Sequence, residues 1–236
     1  MKIPIILIGC LCIVGSLLYY VFHDPFPQKS KRLRTDQLLS LICTQKLGTN
    51  NTPIYIIDNF LSKKECAELI KSSKPKLVPA TVVSSTNSDN IVNNERTNKT
   101  AHWTEEDIEV KIDKKIIDTI RIYSKKSETP QVQNYQISEE YKPHYDYFEK
   151  HAVDELKKGG QRSFTFMIYL NDVEEGGQTK FVELNQKITP KLGKAVIWCN
   201  LDHHNKPDKQ TLHAGMPVIK EEKWIQIGRA SCRERV

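Results

Sequence analysis

The sequence is informative first for what it lacks. Its six cysteines include no C-x-x-C pair and no zinc-like spacing, and the chain contains no internal repeat and no low-complexity tract. A thiolate zinc site and a repeat architecture are therefore not indicated. The net charge of +6 does not belong to the central part of the chain, since residues 51–228 hold 26 basic and 26 acidic side chains. A nucleic-acid partner is not expected, because such proteins carry their basic excess on the folded surface.

Charge is also absent from residues 3–22, IPIILIGCLCIVGSLLYYVF. Twenty helical residues rise about 30 Å, which matches the hydrocarbon core of a bilayer. A cleaved signal peptide is the competing interpretation, but the run does not end in a small-residue cleavage site. The sequence therefore favours a single transmembrane signal-anchor over residues 1–22.

Two observations disagree on which side of the membrane the rest of the chain lies. Four basic residues follow the apolar run within twelve positions and only one precedes it, so the positive-inside rule places the body in the cytosol. Glycosylation sequons headed by Asn50 and Asn98 would matter only if the body is lumenal.

The remainder of the chain divides into three segments. Residues 23–50 are predicted to form a polar, basic stem, and residues 51–228 a globular domain. Residues 229–236, RASCRERV, resemble a foreign or misassembled tail rather than the continuation of a last strand.

The globular segment begins with helical signals and continues with strands. Ser62 and Glu65 form a capping box that opens one helix, and Thr104 opens a second with isoleucines four residues apart. After Pro130 short β-type runs follow one another, and residues 144–160 are predicted to form one helix that ends at a glycine pair. Many short strands after two helices predict an α+β chain whose β part is a sandwich or barrel.

One pair of potential metal ligands stands two residues apart. His144 and Asp146 would point to the same face of a strand, because side chains alternate along it. His213 lies in another late β-type run, TLHAGMPVI. Two histidines and one carboxylate form the ligand set of non-haem Fe(II) oxygenases, which leaves coordination positions open. These three residues are therefore candidate metal ligands and catalytic residues.

A lysine follows His213 by ten residues, at the start of the run KWIQI. An ammonium inside a barrel is costly unless it meets an anion. Lys223 is therefore a candidate partner for the free carboxylate of a bound 2-oxo acid. Lys220 is a nearby rival, but it is predicted to lie in a turn where its charge can remain in water.

These residues lie in three longer runs that resemble the catalytic domain of collagen-type prolyl 4-hydroxylases, which are Fe(II)- and 2-oxoglutarate-dependent dioxygenases. The runs are QVQNYQISEEYKPHYDYF, GGQRSFTFMIYLNDVEEGGQTKFVELNQKITPKLGKAVIW and LHAGMPVIKEEKWI. The resemblance extends roughly from Pro53 to Ile225 and implies a double-stranded β-helix, or jelly roll, with flanking helices. It also implies Fe(II) as cofactor, 2-oxoglutarate as cosubstrate and L-ascorbate as reductant.

The resemblance assigns roles to three groups of residues. The implied iron ligands are His144, Asp146 and His213. The implied 2-oxoglutarate ligands, which would act through charge-assisted hydrogen bonds, are Lys223, Thr179 and Tyr135. The residues implied to lie beside the peptide substrate are Arg96 and Trp198.

The implied reaction is hydroxylation of peptidyl proline at C4, with release of succinate and carbon dioxide. Two alternatives stay open: a membrane-anchored binding protein that keeps the fold without turnover, and a cytosol-facing hydroxylase of another protein. The collagen-type resemblance favours a catalytic domain in the lumen of the endoplasmic reticulum. A proline-containing peptide or protein is the expected partner, and the sequence does not indicate an oligomeric state.

Overall fold

The computed structural model describes residues 27–83, 90–91, 94–120, 128–150 and 152–231. The predicted signal-anchor over residues 1–22 lies outside this part of the chain. Within the described ranges, no helix combines the length and the apolar character that a membrane crossing requires.

The described residues form four α-helices and sixteen strands. The helices are α1 (Pro27–Ile42), α2 (Lys63–Ser73), α3 (Asp107–Ile120) and α4 (Val153–Gly159). The strands are β1 (Gln45–Gly48), β2 (Pro53–Ile57), β3 (Val78–Pro79), β4 (Val82–Val83), β5 (Asn90–Ile91), β6 (Lys99–His102), β7 (Gln131–Tyr135), β8 (Tyr141–His144), β9 (Arg162–Tyr169), β10 (Glu175–Gly176), β11 (Thr179–Phe181), β12 (Gln186–Ile188), β13 (Ala195–Cys199), β14 (His213–Gly215), β15 (Val218–Lys220) and β16 (Lys223–Ser231).

Two sheets build the body of the molecule. The large sheet has eight strands in the order β1-β2-β13-β9-β16-β7-β6-β3, and the small sheet has four in the order β12-β11-β14-β8. Every strand pair within the large and small sheets is antiparallel. Non-consecutive strands lie side by side in both sheets, which agrees with the predicted jelly roll.

The two sheets face each other across an apolar interior. Met167 and Trp198 of the large sheet belong to one buried cluster with Phe181 and Ile188 of the small sheet. The opposite face of the large sheet is covered by helices. Leu39 of α1, Leu69 of α2 and Ile112 of α3 are fully buried in a second cluster with Phe164 and Phe166 of β9. The predicted antiparallel β architecture with flanking helices is thus confirmed.

The local signals for α2 and α3 are confirmed with one shift. The Ser62 hydroxyl accepts from the Glu65 amide at 3.2 Å, and the Glu65 carboxylate accepts from the Ser62 amide at 2.8 Å. Helix α3 begins at Asp107 rather than at Thr104. The Glu109 carboxylate explains the shift, because it accepts from the Thr104 amide at 2.6 Å and stabilises a non-helical turn before the helix.

The prediction of one helix over residues 144–160 is wrong. Only α4, at Val153–Gly159, is helical, while β8 runs up to His144. The physical reason is a long-range pairing, since His144 lies opposite His213 in the small sheet. The glycine signal does mark the end of α4, where Gly160 adopts a positive φ of 79°.

Two described elements bear on the segment boundaries. Strand β1 pairs with β2, although it lies within the segment predicted as stem. Strand β16 continues through Ser231, three residues into the segment predicted as a foreign tail. The boundaries and the origin of residues 229–236 stay predictions.

Candidate active site

The structure brings the three predicted metal ligands together. His144 ends β8, His213 begins β14 directly opposite it, and Asp146 follows β8 by two residues. Ligand atoms of the three side chains lie within 4.8 Å of one another. The His144 Nε2 is 3.9 Å from Asp146 Oδ1, and the His213 Nε2 is 3.7 Å from Asp146 Oδ2. We call this group the metal end of the site.

Backbone carbonyls orient both histidines. The Nδ1 of His144 is 2.8 Å from the Lys142 carbonyl, and the Nδ1 of His213 is 2.9 Å from the Thr211 carbonyl. Each Nδ1 therefore carries the proton, which leaves each Nε2 lone pair directed at the centre of the group. Burial lowers the pKa of both imidazoles, that of His144 well below its ordinary value. Neutral imidazoles are the form that binds metal.

Asp146 has two partners that sequence reasoning missed. Thr165 donates its hydroxyl to Asp146 Oδ2 at 2.8 Å, and Arg229 donates Nε to Asp146 Oδ1 at 2.8 Å. Burial would raise the pKa of Asp146, but the Arg229 guanidinium and the two imidazoles outweigh it and lower the pKa. Strand alternation could have identified Thr165, since it shares the interior face of β9 with Met167. Arg229 was missed because it lies in the segment predicted as foreign.

Lys223 occupies the opposite end of the same interior. It begins β16, is 1% exposed, and donates Nζ to the Gly177 carbonyl at 3.1 Å. Its Nζ also lies 3.9 Å from the centroid of the Tyr135 ring. Burial lowers the pKa of Lys223 to about 7. Lys220 in contrast is exposed and forms an ion pair with Glu174, so its charge stays in contact with water as predicted, although it ends strand β15 rather than lying in a turn.

Thr179 and Tyr135 line the cavity beside Lys223. The Thr179 hydroxyl accepts from the Tyr169 hydroxyl at 2.6 Å, and its own hydrogen faces the Met167 sulfur, a weak acceptor 3.8 Å away. The Tyr135 hydroxyl donates to Gln133 Oε1 at 2.9 Å. We call Lys223, Thr179, Tyr135 and Gln133 the acid end of the site.

The two residues predicted to lie beside the peptide are both buried. Trp198 is fully buried and packs edge-on against His213, with ring centroids 5.0 Å apart. Arg96 lies with its guanidinium carbon 5.0 Å from the centroid of the Tyr141 ring, and Tyr141 in turn stacks on His144. Arg96 also donates to Asn98 Oδ1 at 3.0 Å. Their roles toward a peptide stay predictions, while both support an iron-ligand candidate, Arg96 through Tyr141.

One cavity joins the metal end to the acid end. Its lining includes His144 and His213 at one end and Lys223, Thr179 and Tyr135 at the other. A ligand that spans it would have to offer metal-binding atoms at one end and an anion at the other. This is the chemical description of a 2-oxo dicarboxylic acid.

Comparison with known proteins agrees with this description. Residues 130–228 match the family model described as the 2OG-Fe(II) oxygenase superfamily. Probable prolyl 4-hydroxylase 3 of Arabidopsis thaliana is 35% identical over 193 residues, covering 72% of this chain and 66% of that protein. Prolyl 4-hydroxylase subunit alpha-2 of Gallus gallus is 34% identical over 168 residues, covering 70% of this chain and 31% of that subunit. The chain thus spans less than two thirds of the length of these relatives.

A solved structure is similar over more of its own length. It is the 2OG complex of the viral collagen prolyl hydroxylase of Paramecium Bursaria Chlorella virus-1, with 32% identity and a TM-score of 0.59. The alignment covers 75% of this chain and 96% of the viral chain. The chain therefore belongs to the 2OG-Fe(II) oxygenase superfamily. The relatives named above are, more narrowly, all prolyl hydroxylases.

Iron and 2-oxoglutarate are the cofactor and cosubstrate of this superfamily, and the residues present fit both. Two neutral imidazoles and one carboxylate form the facial donor set that suits Fe(II). The buried ammonium of Lys223 and the hydroxyl of Thr179 suit a carboxylate.

Proposed function

We propose that this protein hydroxylates peptidyl proline at C4, with dioxygen and 2-oxoglutarate as cosubstrates and succinate and carbon dioxide as products. The observation that carries the proposal is a cavity lined by His144 and His213 at one end, where Asp146 completes the metal-ligand group, and by Lys223 at the other. The prolyl hydroxylases to which the chain is similar support proline as the substrate.

The chain's own residues hold and shield the reaction site. The metal end fixes three donors by means of the Lys142 and Thr211 carbonyls and the Thr165 hydroxyl. Trp198 covers one side of His213 and excludes water from it. Bound iron supplies the oxidising chemistry with dioxygen, and L-ascorbate is expected to maintain iron in its reduced state over repeated turnovers.

The test is succinate release by the full chain in detergent, with proline-rich peptides and with or without Fe(II). The proposal expects one succinate for each hydroxyl group that mass spectrometry detects on proline. The matched control is His203→Ala, which changes an exposed histidine outside the site and should keep wild-type turnover. Iron-dependent succinate release without any hydroxylated peptide would exclude proline as the substrate, and binding without succinate release would favour a non-catalytic binding protein.

We further propose that residues 3–22 anchor the protein in the endoplasmic reticulum membrane with the catalytic domain in the lumen. The absence of charge from this run supports the anchor. Similarity to a collagen prolyl hydroxylase supports the lumen, because collagen is a secreted substrate.

Glycosylation provides the test of this location, and the structure distinguishes the two sequons. Asn50 is exposed in the turn between β1 and β2, whereas Asn98 is 1% exposed and its amide is bonded to Arg96 and to the Lys99 carbonyl. A lumenal domain should therefore show a glycosidase-sensitive shift that Asn50→Gln removes and Asn98→Gln keeps. Protease digestion of the domain in intact microsomes would instead place it in the cytosol and support the cytosol-facing alternative.

A further inference from the structure

The Gln133 side chain lies at the acid end and has a hydrogen-bond donor for which the described residues offer no acceptor. It lies on β7 opposite Ile225, and shares the interior face of that strand with Tyr135, which lies opposite Lys223. Gln133 is 1% exposed and lines the cavity. Its Nε2 has no hydrogen-bond partner among the residues that the structure describes. Buried polar groups are almost always bonded, so an unpaired amide that lines a ligand cavity points to the ligand.

In the structure the carbonyl oxygen of the Gln133 amide faces the Tyr135 hydroxyl. That hydroxyl has one hydrogen, and it donates this hydrogen to Gln133 Oε1 at 2.9 Å. The bond directs the carbonyl side of the amide toward the phenol and leaves Nε2 as the donor without a protein partner. The same bond means that Tyr135 cannot give its hydrogen to a ligand at the same time.

The amide is also close to the cation of the acid end. The Tyr135 hydroxyl and the Lys223 Nζ lie 3.7 and 3.4 Å from one point, the position that a Cβ would take on Gly215. Because Gln133 bonds that hydroxyl, its amide belongs to the same group of donors as the Lys223 ammonium. Gln133 and Lys223 also line the same cavity, so one anion held there can meet both the ammonium and the amide.

We propose that Gln133 binds the distal carboxylate of the 2-oxo acid through Nε2, and that Tyr135 is a positioning residue that holds the amide. The proposal deepens the proposed function and rests on its 2-oxoglutarate site. The family resemblance assigns no role to Gln133, which here makes the direct contact. It implies Tyr135 as a 2-oxoglutarate ligand, whereas here Tyr135 acts only through Gln133. The site would then select for dicarboxylic 2-oxo acids through one cation and one amide.

The experiment is calorimetric titration of Mn(II)-loaded full chain under nitrogen, where no turnover occurs. The ligands are 2-oxoglutarate and 2-oxopentanoate, which has the same five carbons but no distal carboxylate. Gln133→Leu should weaken 2-oxoglutarate binding about tenfold and leave 2-oxopentanoate binding unchanged. Gln133→Glu should weaken 2-oxoglutarate more than about 100-fold, because it places a like charge beside the carboxylate. Tyr135→Phe should weaken 2-oxoglutarate binding less than Gln133→Leu does, since the Gln133 Nε2 remains.

Measurements on the ligand-free protein are the control for an effect of the substitution on folding. Gln133→Leu removes the unpaired Nε2 but also the acceptor of the Tyr135 hydroxyl, so its unfolding temperature should fall slightly, whereas its Mn(II) affinity without acid should match that of the wild type. Unchanged 2-oxoglutarate affinity in Gln133→Leu would overturn the proposal, and so would a larger loss in Tyr135→Phe, which would make the phenol the direct donor. A wild type that binds both acids equally would also overturn it. A wild type that prefers 2-oxoglutarate yet hydroxylates no proline peptide would contradict only the proposed function.

Discussion

The two ends of the cavity differ in how completely the protein satisfies them. At the metal end, each histidine is held by a backbone carbonyl and Asp146 is bonded through both oxygens. At the acid end, Lys223 has one carbonyl partner and Gln133 Nε2 has none among the described residues. The protein thus orders its metal donors in advance and leaves its anion-binding groups unsatisfied. The metal end should therefore keep its geometry when no metal is bound, whereas the acid end should be sensitive to a change of charge.

The largest effect is expected at the metal end itself. His144→Ala, Asp146→Ala or His213→Ala removes a donor, so Mn(II) affinity should fall more than about 100-fold, beyond the cost of losing an outer partner. Turnover should disappear while the circular dichroism spectrum stays native. Asp146→Glu should also fail, because one added methylene moves the carboxylate by more than the roughly 0.5 Å that such sites tolerate. Near-wild-type turnover in any of these variants would refute the assignment.

The next largest effect is expected at the acid end. Lys223→Ala removes the cation, so the apparent affinity for 2-oxoglutarate should fall about 30-fold or more. Lys223→Arg should recover part of the loss, because the guanidinium is larger and differently shaped. Mn(II) affinity without acid should not change. Lys220→Ala is the matched control, since Lys220 is exposed, and a defect there with a normal Lys223→Ala would reverse the assignment.

The acid end should also respond to pH. Burial holds the pKa of Lys223 near 7 in the free protein, and a bound carboxylate favours the charged ammonium and raises that pKa. Below pH 7 Lys223 already carries its proton in the free protein, so the affinity for 2-oxoglutarate should not change with pH. Above pH 7 binding must take up a proton, so 2-oxoglutarate affinity should fall by up to about tenfold per pH unit. Lys223→Arg should abolish this slope, and a slope that persists would assign it to another group.

The smallest effect is expected from Thr165, which helps to order the metal end before metal binds. Thr165→Val removes the hydroxyl that donates to Asp146 Oδ2 and should weaken Mn(II) binding about tenfold. Thr165→Ser keeps the hydroxyl and should retain most of the Mn(II) affinity. The pair of variants thus separates the effect of the hydrogen bond from that of side-chain volume. Equal losses in Val and Ser variants would show that the methyl group matters rather than the hydrogen bond.

Sequence reasoning reached the parts of the site that local spacing or resemblance can mark. The triad and Lys223 were identified because two of the ligands are two residues apart and the lysine opens a β-type run. The sequence places His144 both in a β-type run and at the start of a predicted helix, and only the long-range pairing with His213 decides for the strand. Strand alternation can place Thr165 on the interior face of β9, but its bond to Asp146 and the unpaired amide of Gln133 exist only in the folded chain.

The register of the small sheet sets the order in which the site can come into existence. His144 and His213 face each other across two paired strands although 69 residues of chain separate them. Closing so long a loop is entropically costly and depends on the strands between them. A growing polypeptide therefore has no complete metal centre until synthesis has passed His213 and β14 has paired with β8. Metal uptake in this sense reports that the small sheet has formed.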